Sequence, residues 1–413
     1  MDPRLRATPA GAFCLAAVWL ACAARSGDPA SNAPARLEPV PFTAVTLDDE
    51  FWAPRLARNR EVTVPHILEQ NEATGRVANF RRAAGLELWN YRMLLRTGDV
   101  RYVDVMERIL YNGALSGILE EGDLFFYTNP LASSGDHQRR PYFRTACCPG
   151  NLARLMGTLP GLVYASATSR RRDVLYVNLF VAGMATAELA GGPVRVRQET
   201  RYPWEGKVRI ELDPGAPREL EVRVRIPGWA RGEVVPSDLY RFDDTFAEAV
   251  SPSAVVRIGG EPEPIEVRDG WATARRVFRS GDTIEVELPM PVRRVRAHPR
   301  IENDAGRVAL QRGPPVYAVE GIDHGGRVHD LALAAEAMFE VVERPDLLGG
   351  VVTIETTGRR IGARGEAGEE TGEEVAEGVT ITAIPYATWA NRGKGEMAVW
   401  LPVLEADDSP EMS

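Results

Sequence analysis

The stretch Arg144-Thr-Ala-Cys-Cys-Pro-Gly-Asn151 places two adjacent cysteines directly before an amphipathic segment. Neighbouring residues form a disulfide only with a strained backbone, because their Cβ atoms normally diverge. Adjacent thiols are better explained as two metal ligands, or as one ligand and one nucleophile; the alternative is a pair of small buried hydrophobic side chains. A helix that begins here would favour the thiolate forms of Cys147 and Cys148, because its unpaired N–H groups form a positive end.

The two cysteines cannot complete a metal site alone. Zinc takes about four ligands, and the pair supplies at most two of them. Cys14 and Cys22, the other cysteines of the chain, lie in a predicted targeting segment. His137, ten residues before Cys147, is the nearest imidazole, but nothing in the sequence marks it as a ligand. As a signal for zinc the cysteine pair is therefore incomplete, and the alternative of two small buried side chains stays open.

The sequence around this motif has helical periodicity from about residue 45 to residue 166. Apolar residues recur there at spacings of three and four, and a stripe of this kind follows Gly150. We expect Asn151 to cap that last helix and Pro160 to end it. The other predicted helices span about 58–72, 88–97 and 102–113.

Two further features of this helical part are candidates for ligand contact. Glu107 lies beside an apolar stripe, where a carboxylate is either on a solvated flank or in a cleft. The run Phe125-Phe-Tyr127-Thr-Asn-Pro-Leu131 is aromatic and could stack on a sugar, although such runs more often belong to a core.

From about residue 173 the apolar period changes to two, and Gly and Pro separate the alternating segments. Short strands of this kind are typical of antiparallel β-sandwiches. We therefore predict an α+β multidomain chain with a helical domain at 41–172 and sandwiches at 173–300 and 301–413. The Gly- and Glu-rich stretch 361–378 is expected to be a solvated loop.

Composition limits the function classes. The chain has 413 residues and a net charge of −9 without basic runs, which argues against a nucleic-acid partner. No segment after the N-terminus approaches the about 18 apolar residues that a transmembrane helix needs. Oligomeric state is not determined by any of these features.

The N-terminus has the pattern of an export signal. Arg4 and Arg6 precede an apolar run of about 14 residues, so we predict a signal peptide at 1–25. The Pro-, Ala- and Ser-rich segment 26–40 is expected to be a linker. We therefore expect an exported protein, with Cys22 as a candidate lipid-attachment site.

Several blocks together identify a resemblance that covers most of the chain. The most specific is the cysteine block 144–151, and the others occur in the same order as in a known family. The remaining blocks are Phe51-Trp52, Thr74–Phe80, Tyr102–Gly113, Phe125–Leu131, Arg225–Trp229, Ala309–Tyr317 and Ile384–Gly393. The family that the chain resembles in these blocks is glycoside hydrolase family 127, the β-L-arabinofuranosidase family.

The resemblance implies an (α/α)6 barrel followed by β-sandwich domains. It implies a retaining exo-glycosidase that releases L-arabinofuranose from β-linked arabino-oligosaccharides with a zinc-bound cysteine as nucleophile. By position, Cys147 would be that nucleophile and Cys148 a second Zn²⁺ ligand. Glu107 and Tyr127 match positions that contact the sugar.

One segment departs from the family pattern. The family carries a Glu-x-Cys motif that supplies a glutamate and a cysteine to the zinc, and a glutamate before it is the general acid/base. Here Glu87 is followed two residues later by Trp89, and the acid/base glutamate has no counterpart. Sequence typical of the barrel's start joins sequence typical of its end near Gly85–Leu86, which indicates an internal deletion.

Chain length supports the same interpretation. Twelve helices of about 12 residues with connections of about five need roughly 200 residues, and about 125 are available. We therefore expect an incomplete barrel with impaired catalysis. The alternatives are a non-catalytic remnant whose sandwiches bind carbohydrate or pack against a partner, and a thiol-redox protein, which the adjacent spacing of the cysteines argues against.

Overall fold

A computed structural model describes residues 37–67, 89–143, 147–169, 172–243, 253–262, 267–361 and 378–404. The described elements all belong to one compact unit, Arg36–Ser413. Several predictions lie outside the described residues: the signal peptide 1–25, nearly all of the linker 26–40, Cys22, the junction Gly85–Leu86 and the acidic loop 361–378 except for its two end residues. The domain boundaries at 172/173 and 300/301 stay predictions.

Few helices occur in the described chain, and each buries one apolar face. The third helix, for example, buries Val103 and Met106, as its 3–4 periodicity predicts. The first and third continue into π-helical turns, at Asn59–Thr63 and Ile109–Ala114. The helices are α1 (Trp52–Arg58), α2 (Trp89–Thr97), α3 (Arg101–Arg108) and α4 (Cys147–Thr158).

Two helix starts differ from the predictions. Helix α4 begins at Cys147 and not after Asn151, because Pro149 fits in a first turn, where its missing N–H costs no hydrogen bond. Asn151 is therefore inside the helix and does not cap it. Helix α1 begins at Trp52, six residues before the predicted start, because the Asp49 carboxylate accepts the N–H groups of Trp52 (2.6 Å) and Ala53 (2.8 Å).

Two sheets share one hydrophobic core, and strands from the N-terminal part join both of them. The six-stranded sheet has the order β1 (Glu38–Pro39), β4 (Tyr164–Ser169), β5 (Arg172–Val177), β9 (Arg218–Arg225), β14 (Trp271–Phe278), β13 (Val267–Arg268). The seven-stranded sheet has the order β12 (Glu261–Pro262), β11 (Val255–Ile258), β15 (Asp282–Glu287), β8 (Lys207–Asp213), β7 (Gly192–Thr200), β6 (Gly183–Leu189), β2 (Val45–Leu47).

A third sheet of 11 strands forms the C-terminal part around its own core. Its order is β10 (Tyr240–Asp243), β16 (Arg293–Ala297), β17 (Arg307–Gln311), β24 (Leu401–Leu404), β19 (Leu331–Ala334), β21 (Val351–Arg360), β22 (Gly378–Pro385), β18 (Tyr317–Glu320), β23 (Glu396–Ala398), β3 (Ala132–Ser134), with β20 (Phe339–Arg344) also on β21. The predicted last strand 397–401 is two strands, since β23 pairs with β18 and β24 pairs with β17.

The pairing within these sheets is mostly antiparallel, as the period of two predicts. Among the described strands, only β5–β9 and β19–β24 pair in parallel. The alternation is clear in β6 and β7, where every second residue is buried. The α+β class of the prediction is therefore confirmed, with large sheets and few helices, whereas the (α/α)6 barrel stays a prediction.

Candidate functional site

Helix α4 places the two cysteines in its first turn, with Cys148 partly buried. No acidic side chain lies in that turn, so the N–H groups and the positive end of the helix favour a thiolate there. The side chain of Cys147 lies outside the described part of the chain. Its predicted role as nucleophile therefore depends on sequence similarity.

The described residues do not form the zinc site that the resemblance implies. Within the described ranges, no three His, Cys, Asp or Glu side chains lie together in an arrangement that could hold a metal ion. Cys148 is one candidate ligand in this part of the structure, and Glu87 lies outside it. We therefore derive no catalytic step through zinc from these residues.

The aromatic run divides into a buried and an exposed part. Phe125 and Phe126 are buried, as expected of core residues, whereas Tyr127 is 50% exposed. The Tyr127 ring meets Phe143 edge-on, with ring centroids 5.3 Å apart, four residues before the start of α4 at Cys147. Its exposure leaves the Tyr127 hydroxyl accessible to a ligand, and its role as a sugar contact stays a prediction.

His137 is held by aromatic stacking. Its ring stacks on Phe126 at 4.6 Å between centroids and lies nearly parallel to Trp389 at 5.7 Å. Its Nε2 is 3.1 Å from the carbonyl oxygen of Thr128. Arg139 also packs on Phe126, with its guanidinium carbon 4.0 Å from the centroid of that ring. The histidine therefore joins the loop after Tyr127 to the turn that contains Trp389.

Glu107 is buried at the junction between α3 and the six-stranded sheet, with 2% of its surface exposed. Its Oε1 accepts a hydrogen bond from the Tyr202 hydroxyl at 2.7 Å and forms an ion pair with Arg225 Nη2. The indole N–H of Trp229 donates to Oε2 at 3.3 Å. Both carboxylate oxygens thus have partners within the protein. The structure does not bring Glu107 together with Tyr127 or the cysteines through any described contact.

A second carboxylate completes this buried ion-pair cluster. Asp104, one turn before Glu107, accepts from Arg225 Nη1 at 2.7 Å and from Arg231 Nη2 at 3.0 Å. Arg225 also donates from Nε to the carbonyl oxygen of Asn178 at 2.7 Å. Two acidic and two basic side chains therefore balance in charge where α3 meets the sheet.

Burial and charge both act on the groups of this cluster. Burial disfavours the charged guanidinium of Arg225, but Glu107 and Asp104 outweigh it and hold the pKa of Arg225 above its usual value. Burial, reinforced by the negative charge of Glu107, raises the pKa of the Tyr202 phenol well above its usual value. Tyr202 thus stays a neutral donor and Arg225 a permanent cation.

Sequence reasoning missed the partners of Glu107. Asp104 precedes Glu107 by three residues, so the two share one helix face, which was a usable signal. Arg225 and Trp229 belong to the block Arg225-Ile-Pro-Gly-Trp229, which was recognised without a role. Tyr202 carried no signal, because its approach to Glu107 depends on how the sheet packs on α3.

Comparison with known proteins matches three successive parts of the chain to the catalytic, middle and C-terminal domains of one glycoside hydrolase family. Residues 82–161 match the β-L-arabinofuranosidase GH127 catalytic domain, 174–290 the GH127 middle domain and 292–402 the glycoside hydrolase family 127 C-terminal domain. Together these matches cover most of the chain. The chain belongs to glycoside hydrolase family 127.

Individual relatives agree with this membership. A non-reducing end β-L-arabinofuranosidase of Bifidobacterium longum subsp. longum is 32% identical over 341 residues, 77% of this chain and 48% of that protein. A solved GH127 β-arabinofuranosidase is 40% identical to this chain, with a TM-score of 0.70. The match covers 76% of this chain and 48% of the solved chain. A GH127 β-L-arabinofuranosidase from Geobacillus stearothermophilus T6 is 37% identical with a TM-score of 0.65, at the same two coverages.

The chain spans about half the length of the relatives that it matches. No helix within the described ranges is both long enough and apolar enough to cross a membrane.

Proposed function

We propose that this chain is a glycosidase of the β-L-arabinofuranosidase type whose catalysis is impaired in the sequence as it stands. The observation that carries the proposal is the block Arg144–Asn151, which lies inside the matched catalytic domain and at the start of α4. The substrate would be an oligosaccharide with a terminal β-linked L-arabinofuranose. The named activity of the relatives supports this choice.

The proposed chemistry assigns the nucleophile to Cys147. Its thiolate would attack the anomeric carbon as the glycosidic C–O bond breaks, and water would later release the sugar with retained configuration. The leaving oxygen must receive a proton, which a thiolate cannot donate. Because the sequence offers no counterpart of the family's acid/base glutamate, we expect this step to be slow.

Metal binding is a separate part of the proposal. We propose Cys147 and Cys148 as two ligands of one Zn²⁺, a charge that would hold both thiols ionised. Trp89 stands where the family has a further cysteine ligand, and tryptophan offers no such ligand. We therefore expect less than one zinc per chain after purification in the presence of zinc.

The experiment measures zinc content and the hydrolysis of a chromogenic β-L-arabinofuranoside by the full chain. We expect slow release that Cys147→Ser abolishes, and zinc content that falls further in Cys148→Ser. Arg60→Ala, which changes an exposed arginine that pairs with Glu61, serves as the control. Full occupancy by zinc with rapid turnover would contradict the impairment, and release that persists in Cys147→Ser would contradict the nucleophile.

A second candidate function is a non-catalytic remnant whose sheets bind carbohydrate or a partner. The observation that favours it is the engagement of both Glu107 oxygens by Arg225, Tyr202 and Trp229. A carboxylate held in this way has little capacity left for a sugar hydroxyl. Complete absence of both zinc and turnover, with sugar binding retained, would favour the remnant.

A further inference from the structure

Trp389 lies in the block Ile384–Gly393 and is fully buried. It follows the short turn Tyr386–Thr388 at the end of β22 and belongs to the residues that match the C-terminal domain. Two of the rings that it meets, those of Phe126 and His137, belong to residues that match the catalytic domain. The indole therefore lies at the boundary between these two matched parts of the chain.

The residue before Tyr127 is held by Trp389. The Phe126 ring stacks on the indole, with centroids 4.7 Å apart and planes 20° apart. Arg139 packs on the Phe126 ring and also donates from Nη1 to the carbonyl oxygen of Trp389 at 3.0 Å. Its Nη2 donates to the carbonyl oxygen of Ser116 at 2.8 Å. Because Phe126 is buried, these contacts fix its ring and the backbone that leads into Tyr127.

The residue after Tyr127 is held by the same indole through His137. The His137 ring lies 13° from parallel to the Trp389 ring. Its Nε2 is 3.1 Å from the carbonyl oxygen of Thr128, and since a carbonyl oxygen can only accept, Nε2 is the donor. One indole ring thus constrains the backbone on both sides of Tyr127.

Tyr127 itself is weakly held. Its side chain is half exposed, and its ring meets Phe143 only edge-on. The segment that follows it returns to the C-terminal sheet, where the Tyr386 hydroxyl donates to the carbonyl oxygen of Pro130 at 3.0 Å and β3 pairs with β23. The position of the Tyr127 hydroxyl therefore depends on contacts that its neighbours make with the C-terminal sheet.

We propose that Trp389 is a positioning residue for Tyr127, so that the C-terminal domain helps to form the sugar site. This inference rests on the proposed function and on the predicted contact of Tyr127 with the sugar. Trp389 is buried and acts only through Phe126 and His137. Loss of its ring would let both neighbours of Tyr127 move, which would weaken sugar binding without changing the bond-breaking step at Cys147.

The first measurement follows Tyr127 without any turnover. The full chain is produced with fluorotyrosine, and Tyr127→Phe identifies the fluorine NMR resonance of this residue among the 11 tyrosines. We expect Trp389→Leu to shift and broaden that resonance, and Trp389→Phe, which keeps a stacking ring, to restore it. His137→Leu, at a partly exposed position, should also shift it. Trp400→Leu is the matched control, because this indole of the same sheet stacks on Tyr240 instead, and should leave the resonance unchanged.

The second measurement determines KM and kcat for a chromogenic β-L-arabinofuranoside. KM equals the dissociation constant when chemistry is slow. We expect Trp389→Leu to raise KM about fivefold, as the loss of one hydrogen bond would, and to change kcat less than about twofold. Tyr127→Phe should raise KM by a similar factor, and the double variant should raise it no further. If no release is detected, the affinity for L-arabinose, read by ligand-observed NMR, takes the place of KM.

Three results would overturn the proposal. The first is a Tyr127 resonance that stays unchanged in both Trp389→Leu and His137→Leu, of which the second decides if the first does not fold. The second is a resonance that Trp389→Phe fails to restore, and the third is a pair of KM factors that multiply in the double variant. The proposed function fails separately, because release that persists in Cys147→Ser, or that never occurs, leaves the fluorine comparison unaffected.

Discussion

The substitution Glu107→Ala tests whether this glutamate stabilises the fold or serves as a contact for a sugar. It removes one carboxylate from a cluster in which Arg225 is fully buried. The guanidinium of Arg225 then keeps Asp104 and the carbonyl oxygen of Asn178 as partners. The Tyr202 hydroxyl and the Trp229 indole N–H lose their acceptor.

The magnitude follows from what is left unpaired. Removal of one partner from a buried ion pair costs about 3–5 kcal/mol of the free energy of unfolding, because the remaining charge stays desolvated. Asp104 still neutralises part of the Arg225 charge, which lowers the cost. The two orphaned donors raise it, at about 1–3 kcal/mol each when fully buried, although such contributions do not add. We therefore expect Glu107→Ala to cost about 3–5 kcal/mol.

The assay is equilibrium unfolding in urea, followed by tryptophan fluorescence, with a double-mutant cycle. Glu107→Ala, Arg225→Met and the double variant are compared with the parent chain. The double variant should cost less than the sum of the single variants by about 1–3 kcal/mol, since it leaves no uncompensated charge at this pair. Glu61→Ala, at an exposed ion pair with Arg60, is the control and should cost less than about 1 kcal/mol.

The reasoning is refuted if Glu107→Ala costs less than about 1 kcal/mol, or if the single costs add without coupling. Either result would mean that the carboxylate is free of its protein partners in solution. A pure sugar contact would behave in that way, with unchanged unfolding and weakened sugar binding only. The experiment thus separates the structural role seen in the cluster from the role that the family resemblance implies.

Three further predictions use the same unfolding assay or metal analysis. Burial raises the pKa of Asp49 to about 6, so the folded state is most stable at low pH, where this carboxyl group is protonated, and it loses that stability as pH rises through about 6. The free energy of unfolding of Asp49→Asn, relative to that of the parent chain, should therefore increase by about 2 kcal/mol between pH 4.5 and pH 7. A difference between the two chains that stays constant with pH would contradict this. Trp89→Cys restores the Glu-x-Cys pattern after Glu87 and should raise zinc content above that of the parent chain, as measured by mass spectrometry; unchanged zinc would argue against the proposed ligand set. Gly206→Ala would place a Cβ 1.8 Å from the carbonyl oxygen of Leu288 and should lower the free energy of unfolding by more than about 2 kcal/mol. The Cβ of Gly157→Ala in α4 meets nothing within 4 Å, so this variant should raise the free energy of unfolding by up to about 1 kcal/mol.

The strand half of the fold was predictable because its signal is local. Alternation in Val194–Arg197 and Val208–Leu212 requires only that one face of a sheet be buried, and β7 and β8 follow it. The neighbours of each strand were not predictable in the same way. β5 pairs in parallel with β9, and β1, near the N-terminal end of the described chain, joins the same sheet by pairing with β4. No local sequence pattern encodes either pairing.

The candidate site was predictable to a different extent. The cysteine block is a rare pattern and was recognised from residue order alone. The partners of Glu107 were not, since a carboxylate beside an apolar stripe looks the same whether its partner is water, a sugar or Arg225.

Direct contacts between the helices and the sheets explain how the described helices can be stabilised without a complete (α/α)6 barrel. Strands β1 and β2 flank the short helical turn Phe42–Ala44 and pair with β4 and β6. The Glu107–Arg225 pair fixes α3 to β9, and the Tyr91 hydroxyl of α2 donates to the carbonyl oxygen of Tyr164 at the start of β4. Because these contacts reach the sheets directly, they hold α2 and α3 without help from further helices. The impairment of catalysis that we propose is therefore compatible with a folded helical region.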